Sequence, residues 1–251
     1  MDSTRRQILT TLPLIGAGAL IVGCRRPQTE SGTATNEKET AQPDADRADA
    51  DVSATEDLMR EHGILRRALL VYKESATKMR QDISSVPIDA LEKTAQLFRV
   101  FGEEYHERKL EENFIFPSLK KNKSSATPYV DFLMAQHTRG REITDYILSM
   151  TGGDKLPAGT ENDFINTLES FVRMYEHHAA VEDTLVFPVW KKSISPEEFD
   201  ELGAKFEEIE QEQFGEDGFD AALRRMAEIE GSLGLANLDM FTAPPPPPKR
   251  R

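Results

Sequence analysis

Residues 111–121 of the chain, EENFIFPSLKK, return 71 residues later as residues 182–192, EDTLVFPVWKK. Each copy has a glutamate, a second polar residue, two apolar residues, Phe-Pro and a pair of lysines, and the two align without a gap. Ordinary helical bundles repeat their hydrophobic spacing but not a glutamate and a Phe-Pro at fixed positions. The chain therefore contains two copies of one structural unit.

Helical periodicity surrounds both copies. Between residues 55 and 235 apolar side chains recur at spacings of three and four, and no strand-like alternation persists. Pro87, Pro128 and Pro196 stand where first helical turns would begin. The pattern predicts helices at residues 55–82, 87–116, 127–151, 160–191, 196–213 and 217–233. Two helical hairpins with short loops predict an all-α, up-down-up-down four-helix bundle with additional short C-terminal helices.

The first 24 residues are typical of an export signal. A basic start at Arg5-Arg6, an apolar run too short to span a bilayer and small residues before Cys24 describe a signal peptide. The arginine pair favours twin-arginine export. Ile21-Val22-Gly23-Cys24 resembles a lipobox in which Cys24 is lipidated, with a plain secretory signal as the alternative. We expect an exported protein, lipid-anchored at the bacterial cell envelope, with its domain on the periplasmic or extracellular side.

Composition divides the rest of the chain. The predicted parts are a signal peptide at 1–24, a disordered acidic tether at 25–54, the four-helix bundle at 55–192, a C-terminal helical extension at 193–235 and a disordered, proline-rich basic tail at 236–251.

The charge balance and the cysteine count limit the function classes. The net charge is −13, with positive charge concentrated at both ends, so the body of the chain repels phosphate backbones and nucleic acid is not an expected partner. The single cysteine excludes an internal disulfide, a cysteine-based zinc site and an iron–sulfur cluster.

Histidines and glutamates lie on the predicted core faces of the four long helices. His62 shares a face with Leu58 and Leu65, and His137 falls between Leu133 and Gly140. On the fourth helix the predicted face is Phe171, Tyr175, His178, Glu182, Leu185 and Val189. By the repeat, the predicted face of the second helix is Val100, Glu104, Glu107, Glu111 and Phe114.

A cation is the expected companion of these side chains. One histidine on an apolar face is usually a hydrogen-bonded core residue, but here four helices direct imidazole or carboxylate inward. Several carboxylates buried without a cation would cost many kcal/mol or take up protons. Imidazole and carboxylate without thiolate suit iron or manganese, with zinc also possible.

The same residues resemble the motif set of the haemerythrin-like, HHE cation-binding domain over about residues 55–192. The resemblance includes Phe-Pro after each carboxylate and implies an oxo-bridged di-iron centre inside the bundle, with manganese or zinc as alternatives. It implies Glu111 and Glu182 as bridging ligands. The implied histidine ligands are His62, His137 and His178, with His106 or Glu107 from the second helix.

The second helix departs from the family pattern, because Glu111 follows His106 by five residues instead of four. On an ideal α-helix five residues leave two side chains about 140° apart. Either Glu107 takes the place of the histidine, or a π-bulge near Lys109 restores His106, and both could bind. His177 is one step off the inward face, so we expect it outside the ligand set.

Three functions stay open on the sequence. The first is a di-iron protein that binds or senses O2 or a related small molecule, and the second is a di-iron enzyme that reduces peroxide, O2 or NO. The third is a metal-free helical scaffold. A ferritin-like oxidase would need Glu-x-x-His on two helices. Only Glu103-x-x-His106 fits, since Tyr175 stands at the corresponding place on the fourth helix.

Overall fold

Six helices make up the structure, a computed structural model that describes residues 52–248. They are α1 (Ala54–Gln81), α2 (88–121), α3 (Thr127–Thr151), α4 (161–193), α5 (Pro196–Phe214) and α6 (Gly218–Leu233). Short 3₁₀ turns lie at Ile83–Ser85 and Leu238–Phe241, and no strand occurs in this part of the chain. The predicted all-α bundle with additional C-terminal helices is confirmed.

The predicted signal peptide, Cys24 and nearly all of the tether lie outside the described residues, as do the last three residues. Among the helices of residues 52–248, none is long and apolar enough to cross a membrane.

Two of the long helices contain π-helical segments at the repeated stretch. In α2 the π segment covers Phe98–Ile115, and in α4 it covers Glu182–Val186. Each returns to α geometry at a phenylalanine whose N–H binds the carbonyl five residues back, that of Glu111 or Glu182. The proline that follows has no N–H, and its ring would clash with the carbonyl four residues back in a regular α-helix. A wider turn avoids that clash, which explains why α2 passes its predicted end at residue 116 and reaches Lys121.

The π segments also change which side chains face the core, because an extra residue per turn rotates the pattern. The predicted faces were wrong at Val100, which is 36% exposed, and at Leu185, which is 42% exposed. Glu104 and Phe114 are only partly buried. Glu107, Glu111 and Glu182 of the predicted faces are buried. The further buried side chains of these segments include Phe98, Phe101, Glu103, Tyr105, His106, Leu110 and Ile115 in α2, and Val186, Phe187 and Trp190 in α4.

The two C-terminal helices pack on the α1–α2 side of the bundle. The Phe214 ring of α5 lies 5.2 Å from the Tyr105 ring of α2. Arg67 of α1 donates two hydrogen bonds, of 2.8 and 2.6 Å, to the Glu230 carboxylate of α6. The extension therefore covers the π segment of α2 and shields the interior behind it from water.

Candidate metal centre

Four histidines, one from each long helix, direct their Nε2 atoms to one buried region. The first histidine pair, His62 and His106, has its Nε2 atoms 3.0 Å apart. The second histidine pair, His137 and His178, has its Nε2 atoms 3.2 Å apart. All four side chains are at most 3% exposed. The interior therefore presents four imidazole nitrogens within reach of one another.

Two carboxylates lie between the histidine pairs. Glu111 has Oε1 3.6 Å from the Nε2 of His106 and Oε2 3.3 Å from the Nε2 of His137. Glu182 has Oε2 3.5 Å from the Nε2 of His62 and 3.0 Å from the Nε2 of His178. Each carboxylate thus contacts one member of each pair. Glu111, His137, His178 and Glu182 form one group that could hold a cation, and His62, His106 and Glu111 form another.

The other ring nitrogen of each histidine, Nδ1, has a side-chain oxygen as its partner. The Nδ1–oxygen distances are 2.7 Å for His62–Asp183, 2.5 Å for His106–Glu61, 2.9 Å for His137–Glu112 and 2.9 Å for His178–Gln136. Burial raises the pKa of Asp183 and of Glu112, but hydrogen bonds from histidine and arginine outweigh it and keep both acids ionised. These carboxylates and the Gln136 amide oxygen can only accept, so the Nδ1 of His62, His137 and His178 carries the proton and Nε2 faces the centre. Burial raises the pKa of Glu61, the partner of His106, to about 8. Oxygen partners of this kind orient metal-binding imidazoles in proteins and raise their basicity.

Two arginines complete this outer layer. Arg66 pairs with Asp183, and Arg141 donates to the Glu112 carboxylate over 2.8 Å. In the absence of metal, burial raises the pKa of Glu112, but hydrogen bonds from His137 and Arg141 outweigh it and bring the pKa to about 2. The Glu112 carboxylate is therefore ionised and can accept a hydrogen bond from the Nδ1 of His137.

The bridging glutamates lack any other compensation in the described part of the chain. Both are fully buried, and none of their four carboxylate oxygens has a hydrogen-bond partner there. Burial and the neighbouring Glu182 raise the pKa of Glu111 well above its ordinary value. Burial also raises the pKa of Glu182, but the imidazoles around it, His178 above all, outweigh that effect and lower the pKa below its ordinary value. Such orphaned acids are costly, and a bound cation would supply the missing charge.

Burial favours the neutral, metal-binding form of His62 and His106. Burial lowers the pKa of His62, and it lowers the pKa of His106 to about 4. Neutral imidazoles are the ligand form, so the donor set of four imidazoles and two carboxylates fits a metal pair.

The structure brings His106 to the centre and places Glu107 beside it. The π segment of α2 turns His106 onto the face of Glu111 despite the spacing of five. The Glu107 carboxylate instead accepts from the Tyr175 hydroxyl at 2.7 Å and from Arg141 at 3.3 Å. It lies 4.0 Å from the Nδ1 of His137, which is the side of the ring away from the centre. His177 is exposed and takes no part.

The Nδ1 partners were not predicted from the sequence. Glu61 and Gln136 each precede an inward histidine, and Glu112 and Asp183 each follow a bridging glutamate. These positions repeat between the two halves of the chain, and that repetition is the signal that could have identified them.

A small cavity adjoins the first histidine pair. Its lining includes both members of that pair, His178, Tyr175 and Leu69, and its volume is about 10 Å³. That is room for one water-sized molecule.

The fold and the site define a class: a four-helix bundle that binds a cation through histidine and glutamate. Residues 53–190 match the family model described as Hemerythrin HHE cation binding domain, and the chain belongs to this family. Similar proteins occur in Mycobacterium tuberculosis and Mycobacterium bovis, both named only as uncharacterized proteins. Each is 40% identical over 192 residues, which cover 76% of this chain and 74% of the relative. No solved structure matches the chain.

Proposed function

We propose that this protein is a non-haem di-iron protein that binds or senses O2 or a related small molecule at the bacterial cell envelope. The observation that carries the proposal is the placement of Glu111 and Glu182, each within 3.6 Å of one imidazole from each histidine pair. Two metal ions that share two carboxylates need that placement.

Iron is the metal that the donor set supports best. Imidazole nitrogens and carboxylate oxygens suit iron, whereas the described residues bring no thiolate to the site. Each iron would have two histidines of one pair and a share of both bridging glutamates. Bound iron would supply redox chemistry and a coordination position for an outside ligand.

The surroundings favour a small ligand. The cavity beside the first histidine pair has a volume of about 10 Å³, so a diatomic molecule suits it better than a larger substrate. The ferritin-like alternative would need Glu103 as a ligand. That side chain instead accepts from Thr144 at 2.5 Å and pairs with Arg99 at 3.0 Å.

Iron analysis combined with absorption spectroscopy tests this function. The full chain should bind two irons, and the oxidised protein should show near-ultraviolet and visible bands that dithionite removes and azide alters. The double variant His178→Ala, Glu182→Ala should lose iron and these bands, whereas His177→Ala, a change at an exposed histidine, should keep both. Full iron occupancy in the double variant would end the proposal. Iron bands that azide leaves unchanged would refute small-molecule binding and leave a storage or structural role.

A further inference from the structure

The two halves of the centre carry matching residues behind His62 and His137. His62 has Asp183 on its Nδ1 and Arg66 on that aspartate. In the same way, His137 has Glu112 on its Nδ1 and Arg141 on that glutamate. The two halves therefore carry matching acids and matching arginines behind these two histidines.

One pair of corresponding residues differs in its functional group, with an acid in one half and an amide in the other. Glu61, directly before His62, accepts from the Nδ1 of His106 at 2.5 Å. Gln136, directly before His137, accepts from the Nδ1 of His178 at 2.9 Å. The first histidine pair is thus held by two carboxylates, and the second by one carboxylate and one neutral amide.

This difference changes what each pair offers a cation. An ionised carboxylate that accepts a hydrogen bond from Nδ1 makes Nε2 a stronger donor and adds negative charge near the metal, and an amide oxygen does less of both. Burial raises the pKa of Glu61 to about 8 without metal, and a cation bound at the first pair would favour the ionised form. Glu107 is the other acid near the second pair, 4.0 Å from the Nδ1 of His137. Its oxygens are held by the Tyr175 hydroxyl and the Arg141 guanidinium, so it does not replace the missing carboxylate.

We infer that the first histidine pair binds a divalent cation more tightly than the second pair and fills first, and that Glu61 sets this order as a positioning residue acting through His106. The inference rests on the proposed metal centre. It adds that the two positions are inequivalent and names the side chain responsible.

Sub-stoichiometric zinc locates the first ion. The metal-free full chain is crystallised with one equivalent of Zn²⁺, and anomalous diffraction at the zinc edge shows which position is occupied. We expect zinc between His62 and His106 in the wild type. In the swapped variant, Glu61→Gln with Gln136→Glu, we expect it between His137 and His178. Shared bridging glutamates alone would make two ions bind stepwise, but they would not reverse the order. Equal occupancy in the wild type, or an unchanged order in the swap, would overturn the inference.

Chelator competition in solution measures the size of the effect. Mutation of the partner behind a metal-binding histidine typically costs about 10- to 100-fold in affinity. Glu61→Gln exchanges the carboxyl group for an amide that can still accept, so it should weaken the first Zn²⁺ step by about 10-fold, the lower end of that range. Gln136→Glu should raise the affinity of the second Zn²⁺ step. This variant tests the inference even if Glu61→Gln does not fold. Glu56→Gln removes the same charge from an exposed site on α1 and should change neither step. If the wild type binds no metal, the proposed function fails as well. If it binds two equivalent ions, only this inference fails.

Discussion

The Nε2 atom of His106 lies 3.6 Å from the carboxylate of Glu111, five residues further along the same helix. A regular α-helix would turn these two side chains about 140° apart. The π-helical geometry of α2 allows both to reach the centre, and α4 achieves the same result with His178 and Glu182 at a spacing of four. The two helices reach one centre with different backbones, and the centre depends on the π segment keeping its shape.

Removal of a ligand should separate metal-dependent from metal-independent stability. Because bound metal connects four helices, it should stabilise the wild type by about 2.7 kcal/mol at a metal concentration about one hundred times Kd. The melting temperature of His137→Ala should rise much less when iron or zinc is added. The control His177→Ala should rise as the wild type does. Calorimetry with and without metal measures these shifts in melting temperature. Equal shifts in all three proteins would contradict the assigned ligands.

Gly140 should be required for the approach of Tyr175. A Cβ atom at position 140 would lie 1.9 Å from the Tyr175 hydroxyl, which donates to Glu107. We expect Gly140→Ala to destabilise the protein by about 1–3 kcal/mol through overpacking. Gly231→Ala, on the exposed side of α6 with no atom within 4 Å, should be neutral or stabilising. Urea unfolding measures both changes, and equal effects of the two variants would refute the packing argument.

Stability should fall as the pH rises through neutrality. Burial raises the pKa of Asp57 to about 7 and that of Glu210 to about 7, well above their values in the unfolded chain. Groups with raised acidic pKa values contribute stability at low pH that is lost as the pH rises through the folded-state pKa. Between about pH 4 and about pH 7 the melting temperature of Asp57→Asn should therefore fall less than that of the wild type. Parallel curves for the two proteins would show that Asp57 is not responsible.

The lipid anchor predicted at Cys24 is testable by fractionation. Cys24→Ser should leave the exported protein in the soluble periplasmic or extracellular fraction, whereas the wild type should stay with membranes. One acyl chain alone binds membranes only marginally, so stable attachment requires the several chains of a mature lipoprotein. A wild type without lipid, found free of membranes, would refute the lipobox interpretation.

Regular helical periodicity carried most of the prediction. His62, His137 and His178 lie on α-helical faces, so steps of three and four placed them inward correctly. The same arithmetic failed at Val100 and Leu185, because π-helical turns do not advance by 100° per residue. The sequence pattern offered both Glu107 and His106 as ligands. The backbone of α2 places His106 beside Glu111, whereas Glu107 lies with Glu112 and His137 in a separate group that could hold a cation.

The side chains that accept from the Nδ1 atoms of the histidines could not be predicted by considering one helix at a time. Asp183 binds His62 from a position 121 residues away in the chain, and Glu61 binds His106 across 45 residues. Periodicity describes a helix face and not its neighbour, so such pairs depend on how the helices are arranged. The repeat was the available clue, since the acid after each bridging glutamate recurs in both halves.

Diffraction from crystals of the iron-loaded protein at the iron absorption edge tests the central claim most directly. We expect two anomalous peaks, one beside the Nε2 atoms of His62 and His106 and one beside those of His137 and His178, with Glu111 and Glu182 reaching both. A single peak on the Nδ1 side of His137, among Glu107 and Glu112, would contradict it. So would iron bound only at the protein surface.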